Sequence, residues 1–236
     1  MYPIKFHSPT PKTAPAGEVT EQQVEAARYA LLRRLSPSLR HHMVRNLQPI
    51  GMIYGLMDHR LSSPNPDLRT LHQEASKINE FARAALGECT DVSSWLSPEP
   101  GALVKAGRGV HECMALLGAG LNFRGYEVLN EVGDPPVFVK REALRTMLVA
   151  VLLATTDALR EPAVLTLGAE TQKDRLMLRV EVAPAKDGRS EAYDDGYRQL
   201  AWADVVALAS SEDVSVSQEG DTVTMRFAVE PGAPDH

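Results

Sequence analysis

Two long helical patterns separated by the short break SSPNP (62–66) constrain the fold more than any other feature of the chain. The first pattern begins at Thr20, which forms a capping box with Gln23, and the second spans about residues 67–95. A short connection between two long helices predicts an antiparallel hairpin. One hairpin cannot bury its whole apolar stripe, so we expect two copies to associate as a homodimeric four-helix bundle.

Two prolines interrupt the first helical pattern. Ser36-Pro37 is typical of a new helix start, so this point is either a kink in one long helix or a break between two. Pro49 lies within the continuing pattern and predicts a kink there.

The pattern changes after the linker SPEPG (97–101). Helical stretches then alternate with strand-like segments, and the segment VSVSQEGDTVTMRF predicts a β-hairpin. Mixed helices and paired strands predict an α+β fold, with an α/β sandwich whose helices cover one face of a sheet. The predicted organisation is a disordered leader at 1–18, a helical hairpin at 19–97 and a sandwich domain at 102–231.

Composition excludes several classes of protein. The net charge of −6 does not favour nucleic-acid binding, which needs a basic surface. Cys89 and Cys113 are too few for a disulfide framework, and the lone pair His111 and Cys113 does not predict a metal site. The longest apolar run, Met147–Ala154, is far shorter than the ~20 residues of a membrane helix, and no secretion signal is evident. We therefore predict a cytoplasmic protein without a membrane or nucleic-acid partner.

His41 is the residue that the helical periodicity singles out. On a wheel with about 100° per residue, the apolar residues of this segment fall within an arc of about 120°. His41 lies almost opposite the centre of that arc and His42 lies near its edge. We expect His41 to be exposed and His42 to be partly buried. The residues of the apolar arc are Leu35, Leu39, Met43, Leu47, Ile50, Tyr54 and Met57.

The neighbours of His41 suit phosphoryl chemistry. Arg40 and Arg45 are placed to stabilise phosphate charge through charge-assisted hydrogen bonds. His59 shares the outer face and is a second, less favoured acceptor. Four residues predicted on that face, including a polarizable methionine and a glycine, suit a docking partner. They are Arg34, Gln48, Met52 and Gly55.

The stretch LRHHMVRNLQPIGMIYGLM resembles the H-box of two-component histidine kinases, whose pattern is roughly H-E-L-R-T-P-L-x-x-I. His41 takes the histidine position, Met43 and Leu47 take the apolar positions, and Ile50 takes the isoleucine position. The stretches LNFRGYEVLNEV, PPVFVKREALRTMLVAVLLATTDAL and GDTVTMRF resemble successive parts of the kinases' ATP-binding domain. The resemblance covers roughly residues 20–231 in order.

The chain departs from the kinase pattern where the kinases hold ATP. The acidic residue expected after the histidine is His42, and the asparagines that bind Mg²⁺ and phosphate fall on Ala150 and Ala154. Both glycine-rich boxes are missing. Alanine offers no oxygen ligand, so the resemblance implies a domain that does not use ATP. The acidic segment with Asp187, Glu191, Asp194 and Asp195 is predicted to be a solvated remnant of the nucleotide lid.

The resemblance, which extends to bacterial histidine phosphotransferases, implies a phosphorelay protein. His41 would exchange a phosphoryl group with the aspartate of a response-regulator receiver domain, and the receiver would supply Mg²⁺. The chain itself is expected to hold no cofactor. The alternative is a non-catalytic pseudokinase scaffold that binds a kinase or response regulator, and an active ATP-dependent kinase is the least favoured reading.

Overall fold

The computed structural model describes residues 19–97, 99–185 and 197–231. The chain divides into two compact units, one of Leu35–Glu99 and one of Met1–Arg34 with Pro100–His236. The predicted leader (1–18) and the predicted lid remnant (187–195) lie outside the described residues. The division at Arg34 differs from the predicted domain start at residue 19, because residues 19–34 group with the second unit.

Three helices make up the N-terminal part of the chain. They are α1 (Glu21–Arg45), α2 (Gln48–Leu61) and α3 (Leu68–Leu96). The predicted capping box is present, since the Thr20 backbone N–H donates to Gln23 Oε1 at 2.8 Å and the Gln23 N–H donates to Thr20 Oγ1 at 3.3 Å. Asp67 caps α3 by accepting a hydrogen bond from the Arg69 backbone N–H at 3.0 Å.

The two prolines have different effects. Helix α1 continues through Pro37, so the first helical segment is one helix at that point. The break comes at Asn46 and Leu47, and Pro49 stands in the first turn of α2. Within a continuous helix, the Pro49 ring would clash with the Arg45 carbonyl and would leave that carbonyl without its N–H donor. The predicted kink at Pro49 is therefore an interruption between two helices.

The first half of α1 belongs with the sheet because its side chains have partners there. Ala27 is fully buried. Arg28 forms an ion pair with Glu212 at 3.2 Å, and Arg34 forms a buried ion pair with Asp157. These contacts explain why the compact units divide within α1 and not at its start.

The second unit combines short helices with a five-stranded sheet. The sheet has the order β2-β4-β5-β7-β6, in which β2 and β4 are parallel and the other neighbours antiparallel, while β1 and β3 form a separate antiparallel pair. The elements are β1 (Leu103–Lys105), α4 (Ala106–Phe123), β2 (Tyr126–Asn130), β3 (Phe138–Lys140), α5 (Arg141–Ala158), β4 (Ala163–Gln172), β5 (Arg175–Pro184), α6 (Trp202–Ser211), β6 (Ser215–Glu219) and β7 (Thr222–Ala228).

The core of this unit lies between the sheet and its helices. Alternate residues of β4 and β7 are buried, as expected for a sheet covered on one face. Helix α5 is buried over most of its length. The mixed helix and sheet architecture predicted from the sequence is confirmed. Among the described helices, none is long and apolar enough to cross a membrane.

Candidate functional site

His41 lies one turn before the end of α1. Its side chain is exposed, while His42 is half-buried, as the helical wheel predicts. The two imidazole rings lie edge to face, with centroids 6.4 Å apart. The exposed imidazole is therefore accessible in the single chain to a group that approaches α1 from solvent.

Helix α3 carries a regular inward stripe in which spacings of three and four residues alternate, the pattern of a helix packed along its length. Two carboxylates, Glu74 and Glu88, occupy positions in this otherwise apolar stripe. A carboxylate turned inward is costly unless it is paired. The stripe consists of the buried or half-buried residues Leu71, Glu74, Ile78, Phe81, Ala85, Glu88, Val92 and Trp95.

Glu88 is paired with the last turn of α1. Its Oε2 lies 3.1 Å from Nδ1 of His42, and its Oε1 accepts a hydrogen bond from Nη2 of Arg45 at 2.7 Å. The sequence interpretation missed Glu88. The signal was present in the sequence, because an acidic residue interrupts the apolar spacing of the second helical pattern.

The two arginines predicted to neighbour the phosphate have different positions. Arg45 stands at position i+4 from His41, and residues at this spacing lie on the same face of a helix. Arg40 is adjacent in sequence and so points to a neighbouring face; it is exposed, and no ion pair of Arg40 is found among the described residues. The geometry therefore favours Arg45 for contact with a group bound to His41.

The predicted partner-binding residues do not share one environment. Arg34 is buried, because its guanidinium is paired with the carboxylate of Asp157, so the prediction that it lies on the outer face is wrong. Gln48, Met52 and Gly55 are exposed on α2, and Met52 has 72% of its surface exposed. Their role in binding a partner stays a prediction.

Two of the seven residues of the predicted apolar arc are exposed in the single chain. Leu35 and Leu39 are buried, whereas Leu47 and Tyr54 are exposed at 49% and 59%. Across α2, all of which is described, no residue is buried. The apolar face of α2 is thus a surface that the chain alone leaves open.

The end of α5 is the region where the kinase resemblance expects Mg²⁺ and phosphate ligands. Ala150 and Ala154 are buried there. In the next turn, Oδ1 of Asp157 is bound by the guanidinium groups of Arg34 and Arg124, and its Oδ2 accepts the Leu200 backbone N–H at 3.0 Å. The carboxylate of Asp157 is almost fully buried, so this part of the unit has its charges paired internally.

A second internal ion cluster joins α4 to α5. Glu112 accepts hydrogen bonds from Arg141 at 2.6 Å and Arg145 at 2.8 Å. Burial alone would raise the pKa of Glu112, but the hydrogen bonds from these two arginines hold it below its ordinary value. The thiol of Cys113 is fully buried, and burial raises its pKa. Among the described residues, no three His, Cys, Asp or Glu side chains converge as a metal site would require.

The chain is similar to solved histidine kinases and to a solved bacterial phosphotransferase. A histidine kinase from Burkholderia phymatum STM815 is 18% identical over 91% of this chain and 100% of that chain, with a TM-score of 0.41. The histidine kinase ThkA in complex with response regulator protein TrrA is 13% identical over 91% of this chain and 68% of that one, with a TM-score of 0.41. A bacterial phosphotransferase is 12% identical over 89% of this chain and 98% of that chain, with a TM-score of 0.39.

No protein-family model matches the sequence, and no curated protein matches it. The three structural alignments have identities of at most 18% and TM-scores of at most 0.41. Function is therefore inferred from the side-chain environment of His41 in this chain.

Proposed function

We propose that the chain is a histidine phosphotransfer protein of a two-component phosphorelay. His41 exchanges a phosphoryl group with the aspartate of a receiver domain, without ATP. The observation that carries this proposal is the exposed imidazole of His41, one turn before the end of α1, with Arg45 on the same face of the helix.

The transfer needs few groups from this chain. An imidazole nitrogen of His41 attacks the phosphorus of the receiver's aspartyl phosphate, so that an N–P bond forms and the P–O bond to the aspartate breaks. The aspartate leaves as a carboxylate, and the proton on the other imidazole nitrogen is released to water. Mg²⁺ on the receiver and the guanidinium of Arg45 stabilise the charge on the transferring phosphoryl group.

Independence from ATP is supported by the end of α5. At the two positions where the kinase resemblance expects asparagines that bind Mg²⁺ and phosphate, Ala150 and Ala154 offer only methyl groups. The carboxylate of Asp157 holds the guanidinium groups of Arg34 and Arg124 in internal ion pairs, so these two arginines are already engaged within the unit. In a relay this loss is tolerable, because the phosphoryl group arrives already activated on the receiver.

A homodimeric four-helix bundle is part of the proposal. Leu47 and Tyr54 lie in the arc that the helical wheel assigns to the buried side, yet both are exposed in the single chain. A second hairpin packed on α2 would cover them and leave Met52 and Gly55, on the other side, for the receiver.

The test is phosphoryl transfer from purified receiver domains, phosphorylated on aspartate with radiolabelled acetyl phosphate and Mg²⁺. We expect label on this chain that is lost in acid and retained in alkali, as for phosphohistidine, and that is abolished by His41→Ala. His59→Gln is the matched control, because His59 is also exposed near the end of a helix. The proposal fails if His41→Ala keeps the label or if His59→Gln removes it.

The scaffold alternative is separated by the same experiment. Receiver binding is measured separately by calorimetry. If the chain binds the receiver but acquires no label, it acts as a scaffold without phosphate chemistry. In that case His41→Gln would leave receiver binding and downstream signalling unchanged.

A further inference from the structure

The two inward carboxylates of α3 are chemically alike but are placed differently. Glu74 and Glu88 lie about four turns, or about 21 Å, apart along the helix. Glu74 Oε1 pairs with Nη1 of Arg60 at 2.8 Å, near the hairpin connection. Glu88 binds two side chains, His42 and Arg45, in the last turn of α1, which directly follows His41. Only the second carboxylate is therefore in a position to act on the phosphotransfer site.

The turn that Glu88 holds is the last turn of α1. The helix ends at Arg45, and α2 starts at Gln48 without a side-chain cap. The last carbonyl groups of a helix have no intrahelical donors, so a helix end frays unless other contacts hold it. Glu88 holds this helix end through side-chain contacts, since its two oxygens bind His42 and Arg45 from α3.

Arg45 is suited to serve two anions at once. A guanidinium carries five N–H donors in a planar fork, and the bond to Glu88 uses one nitrogen, Nη2. The Arg45 side chain is 53% exposed, whereas Glu88 is 20% exposed. One nitrogen of the guanidinium is thus anchored to α3, while about half of the Arg45 side chain remains accessible to solvent.

We propose that Glu88 is a positioning residue of the phosphotransfer site, which orients the guanidinium of Arg45 for contact with a phosphoryl group on His41. This inference rests on the proposed function. A free arginine side chain has high rotamer entropy, and ordering it during transfer would add to the barrier. The ion pair with Glu88 restricts the rotamers of Arg45, so that the guanidinium is oriented before the receiver docks.

The test compares Glu88→Gln with Glu74→Gln in the full chain. Each variant replaces an inward carboxylate of α3 by a neutral side chain of the same shape, so general loosening of the hairpin would appear in both. We measure the transfer rate at saturating receiver, the receiver concentration at half-saturation and thermal unfolding. For Glu88→Gln we expect the saturating rate to fall roughly tenfold to a hundredfold, with half-saturation changed less than twofold. For Glu74→Gln we expect a rate within about twofold of the original chain.

A double-mutant cycle with Arg45→Gln tests whether Glu88 acts through Arg45. The double variant should transfer no more slowly than Arg45→Gln alone, because Glu88 has nothing left to position. Three results overturn the inference: Glu88→Gln transfers normally, Glu74→Gln loses as much rate, or the effects of Glu88→Gln and Arg45→Gln multiply.

Failure of this inference differs from failure of the proposed function. If Glu88 has no positioning role, the original chain still acquires acid-labile label at His41 and the Glu88→Gln variant acquires it as fast. If His41 is not an acceptor, the original chain shows no such label.

Discussion

The buried carboxylate of the sheet unit and the candidate acceptor of the hairpin unit have opposite environments. In the sheet unit, the buried carboxylate of Asp157 is bound by Arg34, Arg124 and a backbone N–H. In the hairpin unit, the imidazole of His41 is exposed. A charged group that is already paired inside a unit is not available to bind an external anion. An exposed side chain is available to an external partner. The difference between the two units is that the charges around Asp157 are paired within the sheet unit, whereas the imidazole of His41 is open to solvent.

The two units also differ in how much of their apolar surface is buried. The sheet and its helices enclose a core in which α5 is buried over most of its length. Helix α2 of the hairpin unit, fully described, has no buried residue and exposes large apolar side chains such as Met52 and Tyr54. A sheet unit can complete its core from its own layers, whereas two helices leave one side uncovered.

The largest effect is expected from Asp157→Ala, which tests whether the sheet unit depends on its internal charge pairing. The change deprives Arg34 and Arg124, whose side chains are only 5% and 15% exposed, of this carboxylate. Breaking a buried pair by removing one partner costs about 3–5 kcal/mol. We expect the free energy of unfolding in urea to fall by that amount.

Glu170→Ala is the control for Asp157→Ala. It breaks the Arg179–Glu170 pair in the same unit, whose side chains are 44% and 45% exposed. An exposed pair contributes about 0–1 kcal/mol. If both variants lower the free energy of unfolding equally, the buried ion pairs of Asp157 stabilise the fold no more than an exposed pair does.

The next effect concerns the open side of the hairpin. Tyr54→Glu places a charge in the arc assigned to the dimer core, which should weaken association by about 3 kcal/mol, or roughly a hundredfold in dissociation constant. Met52→Glu, on the outer side of the same helix, should leave the dimer intact. Sedimentation over a range of concentrations measures both. A monomeric original chain, or equal weakening by both variants, would contradict the bundle.

The smallest effect concerns pH and returns to the sheet unit. Arg141 and Arg145 hold the pKa of Glu112 below its ordinary value of 4.5, against the opposing effect of burial. A carboxyl group with a lowered folded-state pKa contributes stability above its unfolded pKa, and this is lost as pH falls through the folded value. The free energy of unfolding should therefore fall less steeply between pH 5.5 and 3 in the Glu112→Gln variant than in the original chain. Superimposable pH curves would show that the arginines do not stabilise this carboxylate.

Local patterns in the sequence were sufficient for several structural predictions. The capping box at Thr20, the start of α3 at Asp67 and the alternating strands are short-range features, and the structure contains each of them. The exposure of His41 and the partial burial of His42 also followed from helical periodicity, because both lie in the uninterrupted part of α1.

Other features depended on contacts between residues far apart in sequence. Arg34 fits the outer face of a helical wheel, but Asp157, more than a hundred residues later, pairs with it and buries it. Glu88 has the spacing of a core residue and the chemistry of a surface residue, and only its contacts with His42 and Arg45 resolve the conflict. The wheel also assumed one continuous helix past Leu47, where the structure has a break.

By itself, the sequence determined the helices, the strands and the identity of the candidate acceptor, because hydrophobic period and capping act over a few residues. Only the tertiary structure decided which charges are neutralised and which stay available. The physical reason is that the energy of a charge depends on its burial and on partners supplied by distant segments, and neither can be read from neighbours in the chain.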